Sequence, residues 1–131
     1  MSRLLVIVSF LAIGHCTFAG GISAPTAAAA AEIQYLFRIV SESGCDFYRN
    51  GRWYGAAEAE MHLRDKFTLL SAAEQISTAE EFIEKVASRS SLTGLAYQLR
   101  CQGNAPVPAN QWLLNALAGY RAKSVTSPEA R

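Results

Sequence analysis

The chain has 131 residues, with 12 basic and 11 acidic side chains and half of its positions apolar. So balanced a chain lacks the basic excess with which nucleic-acid-binding domains neutralise phosphates, and it offers no polybasic patch for a membrane surface. Its length suits one small domain with a modest core.

At the N-terminus Arg3 precedes an apolar run from Leu4 to Ile13, and Thr17-Phe18-Ala19 places small residues where a signal peptidase reads. That order predicts a cleaved secretory signal over residues 1–19. The run is too short to span a bilayer, which takes about 20 apolar residues. A lipoprotein signal wants a small residue before its cysteine, and Cys16 follows His15. A soluble mature protein without a transmembrane anchor is therefore expected.

Losing the signal removes Arg3 and Cys16, leaving 11 basic and 11 acidic residues and two cysteines, Cys45 and Cys101. Two cysteines in an exported chain predict one disulfide. With a single remaining histidine they make a poor zinc set, so no metal and no cofactor is implied.

Residues 20–31 read as an alanine-rich leader that becomes the start of a helix, with Thr26 as its cap. Ile33, Leu36, Phe37 and Val40 form one apolar helical face, and Ser43-Gly44 ends it. Next, Asn50-Gly51 lies between two β-prone runs, the strongest short signal for a type I′ hairpin. A two-residue loop pairs Phe47 with Tyr54, Tyr48 with Trp53 and Arg49 with Arg52. Alternation puts Cys45, Phe47, Arg49, Arg52 and Tyr54 on one face, and Asp46, Tyr48 and Trp53 on the other.

Ala56 to Leu70 predicts a second helix, with Ala59, Leu63, Phe67 and Leu70 buried and Glu58 and Lys66 solvated. After a connector from Ser71 to Ser77, Thr78 and Glu81 form a capping box that opens a third helix. "SRSSLTG" is a polar turn. In "AYQLRC" Tyr97, Leu99 and Cys101 alternate onto one strand face. Joined to the hairpin, this strand points both thiols to the same side, so a Cys45–Cys101 bond is geometrically reasonable. Leu113, Ala116, Leu117 and Tyr120 mark a last helix after Pro106 and Pro108. The expected architecture is a single α+β domain over 32–121, with about four helices and a three-stranded antiparallel sheet. Residues 122–131 are expected as a flexible tail.

Four motifs in order, "SGCDFYRNG", "EAEMHLRDK", "FIEKVASRSSLTGLAYQLRC" and "WLLNALAGYR", resemble the YfeK-like family of small exported bacterial proteins. The resemblance runs from Glu32 to Arg121. Only the alanine-rich leader and the C-terminal tail depart from it. It implies a periplasmic protein of Gram-negative bacteria. That family is one of unknown function, so no catalytic residue is carried over.

Two functional classes remain. A binding or accessory protein for a protein or envelope component would use Tyr48 and Trp53 as an aromatic platform, with Arg49 and Arg52 at the hairpin tip to hold an anion. The competing structural reading packs both aromatics under a helix and leaves the arginines in water. Ser88, Ser90, Ser91, Thr93 and Gly94 could line a pocket, although local capping explains hydroxyls in a turn. The alternative is a small envelope hydrolase in which one of Ser88, Ser90 and Ser91 works with His62, oriented by Glu58. Against it, these serines lack a strained nucleophile elbow.

Overall fold

A computed structural model describes residues 24–73 and 76–127. The expected signal over 1–19 and the end of the expected tail lie outside the described residues. Helix α1 spans Ala27–Glu42, and the Thr26 side chain accepts from the Ala29 amide at 3.1 Å. Its buried stripe is the one expected: Ile33, Leu36, Phe37 and Val40. Gly44 then turns the chain at φ +66°, a value that costs a side chain but not glycine.

Strands β1 (Asp46–Arg49) and β2 (Arg52–Tyr54) form the hairpin in the predicted register. Asn50 at φ 50° and Gly51 at φ 87° are both left-handed, as the type I′ turn demands. Helix α2 spans Ala56–Ala73, running past the expected Leu70 into the connector. Ala59 and Leu63 are buried as anticipated, but so is Lys66. Positions 59, 63 and 66 share one helical stripe, so the lysine stem is swept under with the alanine and leucine.

Helix α3 (Ala79–Phe82) carries the predicted capping box, the Thr78 hydroxyl accepting from the Glu81 amide. It continues directly into a π-helical turn, Ile83–Ala87. Phe82, Ile83, Val86 and Ala87 are all buried there.

Strand β3 (Gln98–Arg100) pairs with β1, placing Phe47 opposite Leu99. The sheet has four strands rather than three, in the order β2-β1-β3-β4. The added member, β4, is only Val107–Pro108, and it lies on the edge beside β3. Proline gives no amide to a ladder and so belongs on an edge, which leaves a two-residue strand no legible alternation. Helix α4 spans Ala109–Thr126, so the helix persists beyond Arg121 into the stretch expected as a tail.

The disulfide joins Cys45 to Cys101 with a Cα separation of 4.3 Å. Because Asp46 faces Arg100, the next pair outward is Cys45 opposite Cys101, a bridge across neighbouring strands. The helices pack on the Phe47–Leu99 side of the sheet. Phe37, Phe67 and Phe82 meet edge to face between α1, α2 and α3, with centroids 5.0 to 5.8 Å apart. At the far end Arg121 of α4 grips both carboxylate oxygens of Glu32 on α1, at 2.8 and 2.9 Å, and reaches Glu80 on α3. These pairs hold the Arg121 guanidinium firmly charged and pull the Glu80 carboxyl below its ordinary range. Among the described residues, no helix is long and apolar enough to cross a membrane.

Candidate ligand-binding cleft

The hairpin leans over α2 and encloses a cleft of about 300 Å³. Buried apolar side chains make its floor, among them Ala59 and Leu63 of α2, Ala87 of the π turn and Leu113 of α4. Half-buried Arg49 and Tyr54 form the hairpin wall, and His62 and the buried Tyr97 face them. Three exposed residues of α2, Glu58, Met61 and Asp65, make the rim. Alternation in β1 explains why Phe47 and Arg49 both point inward, and the 58, 62, 65 spacing explains the α2 wall.

A polar relay closes the inner end. His62 Nε2 lies 3.3 Å from the Tyr97 hydroxyl. Behind it, the Lys66 ammonium donates to the Arg89 carbonyl at 2.6 Å and to the Tyr97 oxygen at 3.5 Å. The Tyr97 hydroxyl thus meets His62 on one side and the Lys66 ammonium on the other. Arg49 stacks over Tyr54, 5.0 Å from the ring centroid, and the exposed Arg52 takes the same ring at 5.7 Å. No ion pair of Arg49 occurs among the described residues.

Burial and then the Arg49 charge lower Lys66 from 10.5 to about 8. His62 is lowered by burial, then Arg49, then Lys66, and Asp65 opposes this only in part. Burial raises the Tyr97 phenol, with Arg49 pulling the other way. At His62 the Arg49 and Lys66 charges each outweigh that of Asp65.

Of the other predicted binding and pocket residues, Tyr48 also borders the cleft, and the rest lie elsewhere. Tyr48 and Trp53 are half-buried neighbours on the opposite sheet face, their rings 5.3 Å apart. Arg100 lies 3.9 Å over Trp53 and contacts Asp46 at 3.4 Å. The ring contacts of these two residues are with each other and with Arg100 of β3.

The serines are turned to local tasks. Ser88 donates to the Ile83 carbonyl at 2.6 Å. The buried Ser90 hydroxyl accepts from the Leu92 and Thr93 amides, each at 3.3 Å, and from the Asn50 side chain at 3.1 Å. Thr93 returns a 2.7 Å bond to the same Asn50, and Gly94 sits at φ +72° in the turn. Ser91 is exposed. His62 thus meets a tyrosine instead of a serine. The latch of Asn50 onto Ser90 and Thr93 also fixes the hairpin tip over the cleft. Ser90→Ala strips three donors of their acceptor and is expected to cost about 2 kcal/mol, read as a lower urea midpoint at unchanged slope.

Sequence reasoning named Arg49 and His62 but missed Lys66 and Tyr97. The signal for Lys66 was present, since it shares the stripe of Ala59 and Leu63. Nothing in the sequence pairs Tyr97 with α2, because that contact crosses 35 positions.

Comparison with known proteins agrees with the resemblance. The chain is 44% identical over 62 residues to "Uncharacterized protein YfeK" of Salmonella typhimurium, a match covering 47% of this chain and 50% of that protein. The chain thus spans about half the length of the curated relative it matches. No solved structure matches it. A family of unknown function, DUF5329, matches residues 27–121, and the chain belongs to that family.

Proposed function

We propose that the chain is an exported, non-catalytic binding protein of the periplasm that takes up a small envelope component in the cleft beneath the hairpin. One observation carries this reading: Arg49, His62 and Tyr97 converge over an apolar floor in a cleft of about 300 Å³. Convergent polar groups over apolar walls are the general form of a ligand site. The disulfide fits an oxidising compartment. The hydrolase reading loses support because the His62 partner is a phenol and the Ser90 hydroxyl is already taken by three donors.

The test is uptake of a neutral apolar probe, octanol, followed by methyl NMR. Shifts at Ala59, Met61 and Leu63 that saturate at one equivalent are the expected result. Saturation elsewhere, or no saturation, rejects the cleft as a binding site. A panel of esters and peptides should be left intact by the same protein, and turnover lost on His62→Ala would reject the non-catalytic part.

A further inference from the structure

We infer that the natural ligand of this cleft is an apolar monoanion, a carboxylate on an alkyl body, with Arg49 as its anchor. This rests on the reading of the cleft as a binding site. Arg49 reaches the cleft from the hairpin with its fork unclaimed by any carboxylate among the described residues. Its guanidinium lies 5.0 Å from the Tyr54 ring centroid, a cation–π contact that leaves its N–H donors free of any carboxylate among the described residues. Planar bidentate pairing with a carboxylate is what such a fork fits best.

Across the cleft, His62 lines the wall and is held by its contact with Tyr97. Lys66 stands behind Tyr97 and adds charge without lining the cleft. The floor is apolar, with Val40, Ala59, Leu63, Ala87 and Leu113 beside Phe47, and an alkyl body fits it. The rim sets the charge: Glu58 and Asp65 lie at the mouth, where a phosphate monoester dianion meets two like charges and a monocarboxylate meets the least repulsion. The same rim would draw a lone ammonium, but Arg49 and the relay repel one from the interior.

Calorimetry with octanoate, octanol, octylamine and octyl phosphate separates these chemistries. Octanoate is expected to bind roughly tenfold or more tighter than octanol, with octyl phosphate weaker than octanoate and octylamine weakest. On Arg49→Gln, octanoate should bind within about twofold of octanol measured on the same variant. Equal binding of octanoate and octanol overturns the inference and leaves the binding reading intact. If no probe binds, the reading itself fails. Tighter binding of octyl phosphate or octylamine overturns the carboxylate assignment. Should the Arg49 variant not fold, the order of the four probes on the wild-type protein decides alone.

Discussion

Replacing both Cys45 and Cys101 by alanine is expected to lower the free energy of unfolding by about 4 kcal/mol. The bond links positions 56 apart in sequence. A cross-link of that span removes many open conformations from the unfolded chain, and the loss grows with the logarithm of loop length. Alanine is the right replacement, since Cys45 is buried and serine would add an unpaired hydroxyl there. The native ladder survives the change, because Asp46 to Tyr48 still pair with Arg100 to Gln98. The loss therefore falls mainly on the unfolded state. Stabilities of small domains are about 5–15 kcal/mol, so this is a large fraction, and the melting temperature should drop by roughly 20 °C. Urea unfolding should also steepen, because an unlinked chain exposes more surface. A loss under about 1 kcal/mol would mean that the unfolded chain already holds Cys45 near Cys101, which the expected rise in slope would then fail to show.

Local rules carried most of the fold. Thr26, the Thr78–Glu81 box, Asn50-Gly51 and the alternation of Tyr97, Leu99 and Cys101 each act within a few residues, and each element they mark is present. The fourth strand escaped because Val107-Pro108 is too short to alternate, and only the neighbouring β3 edge makes it a strand. The cleft was half legible. Hairpin alternation put Arg49 on the correct face, and helical spacing put His62 on the α2 wall. The rest depends on how β3 and the turn before it come down on α2. That approach buries Lys66 against the Arg89 carbonyl and sets Tyr97 against His62, contacts between elements that no local pattern encodes.

Lys66 makes the second large effect, a stability that climbs with pH on the alkaline side of neutrality. Its folded value is about 8 against an ordinary 10.5. Below about 8 the lysine is charged in both states, and the cost of burying that charge beside Arg49 is fully present. As pH rises from about 8 towards 10.5 the folded chain releases the proton while the unfolded chain still binds it, so unfolding becomes harder. Across the whole window the gain approaches about 3 kcal/mol, at roughly 1.4 kcal/mol per tenfold. The raised Tyr97 phenol works in the opposite direction, because above about 10 the fold keeps a proton that the unfolded chain loses. The climb therefore ends near pH 10. His62, lowered below 6.5, adds a separate limb on which stability falls as the pH drops through that range. Lys66→Met retains the stem in its stripe and removes the charge. Urea titrations should show the alkaline climb from pH 8 to 10 in the wild type and a flat profile over that interval in the variant, which then falls above about 10 as Tyr97 acts alone. The acid limb should survive in the variant but shrink, since Lys66 is one of the charges that depress His62. A variant that still climbs above pH 8 would assign the effect to another group. A wild type with no climb would mean that Lys66 keeps its proton in the fold, held by the Arg89 carbonyl against the Arg49 charge. An anion seated beside Arg49 raises the Lys66 value and delays the climb, so octanoate added to the same titration reads occupancy of the cleft through the lysine behind it.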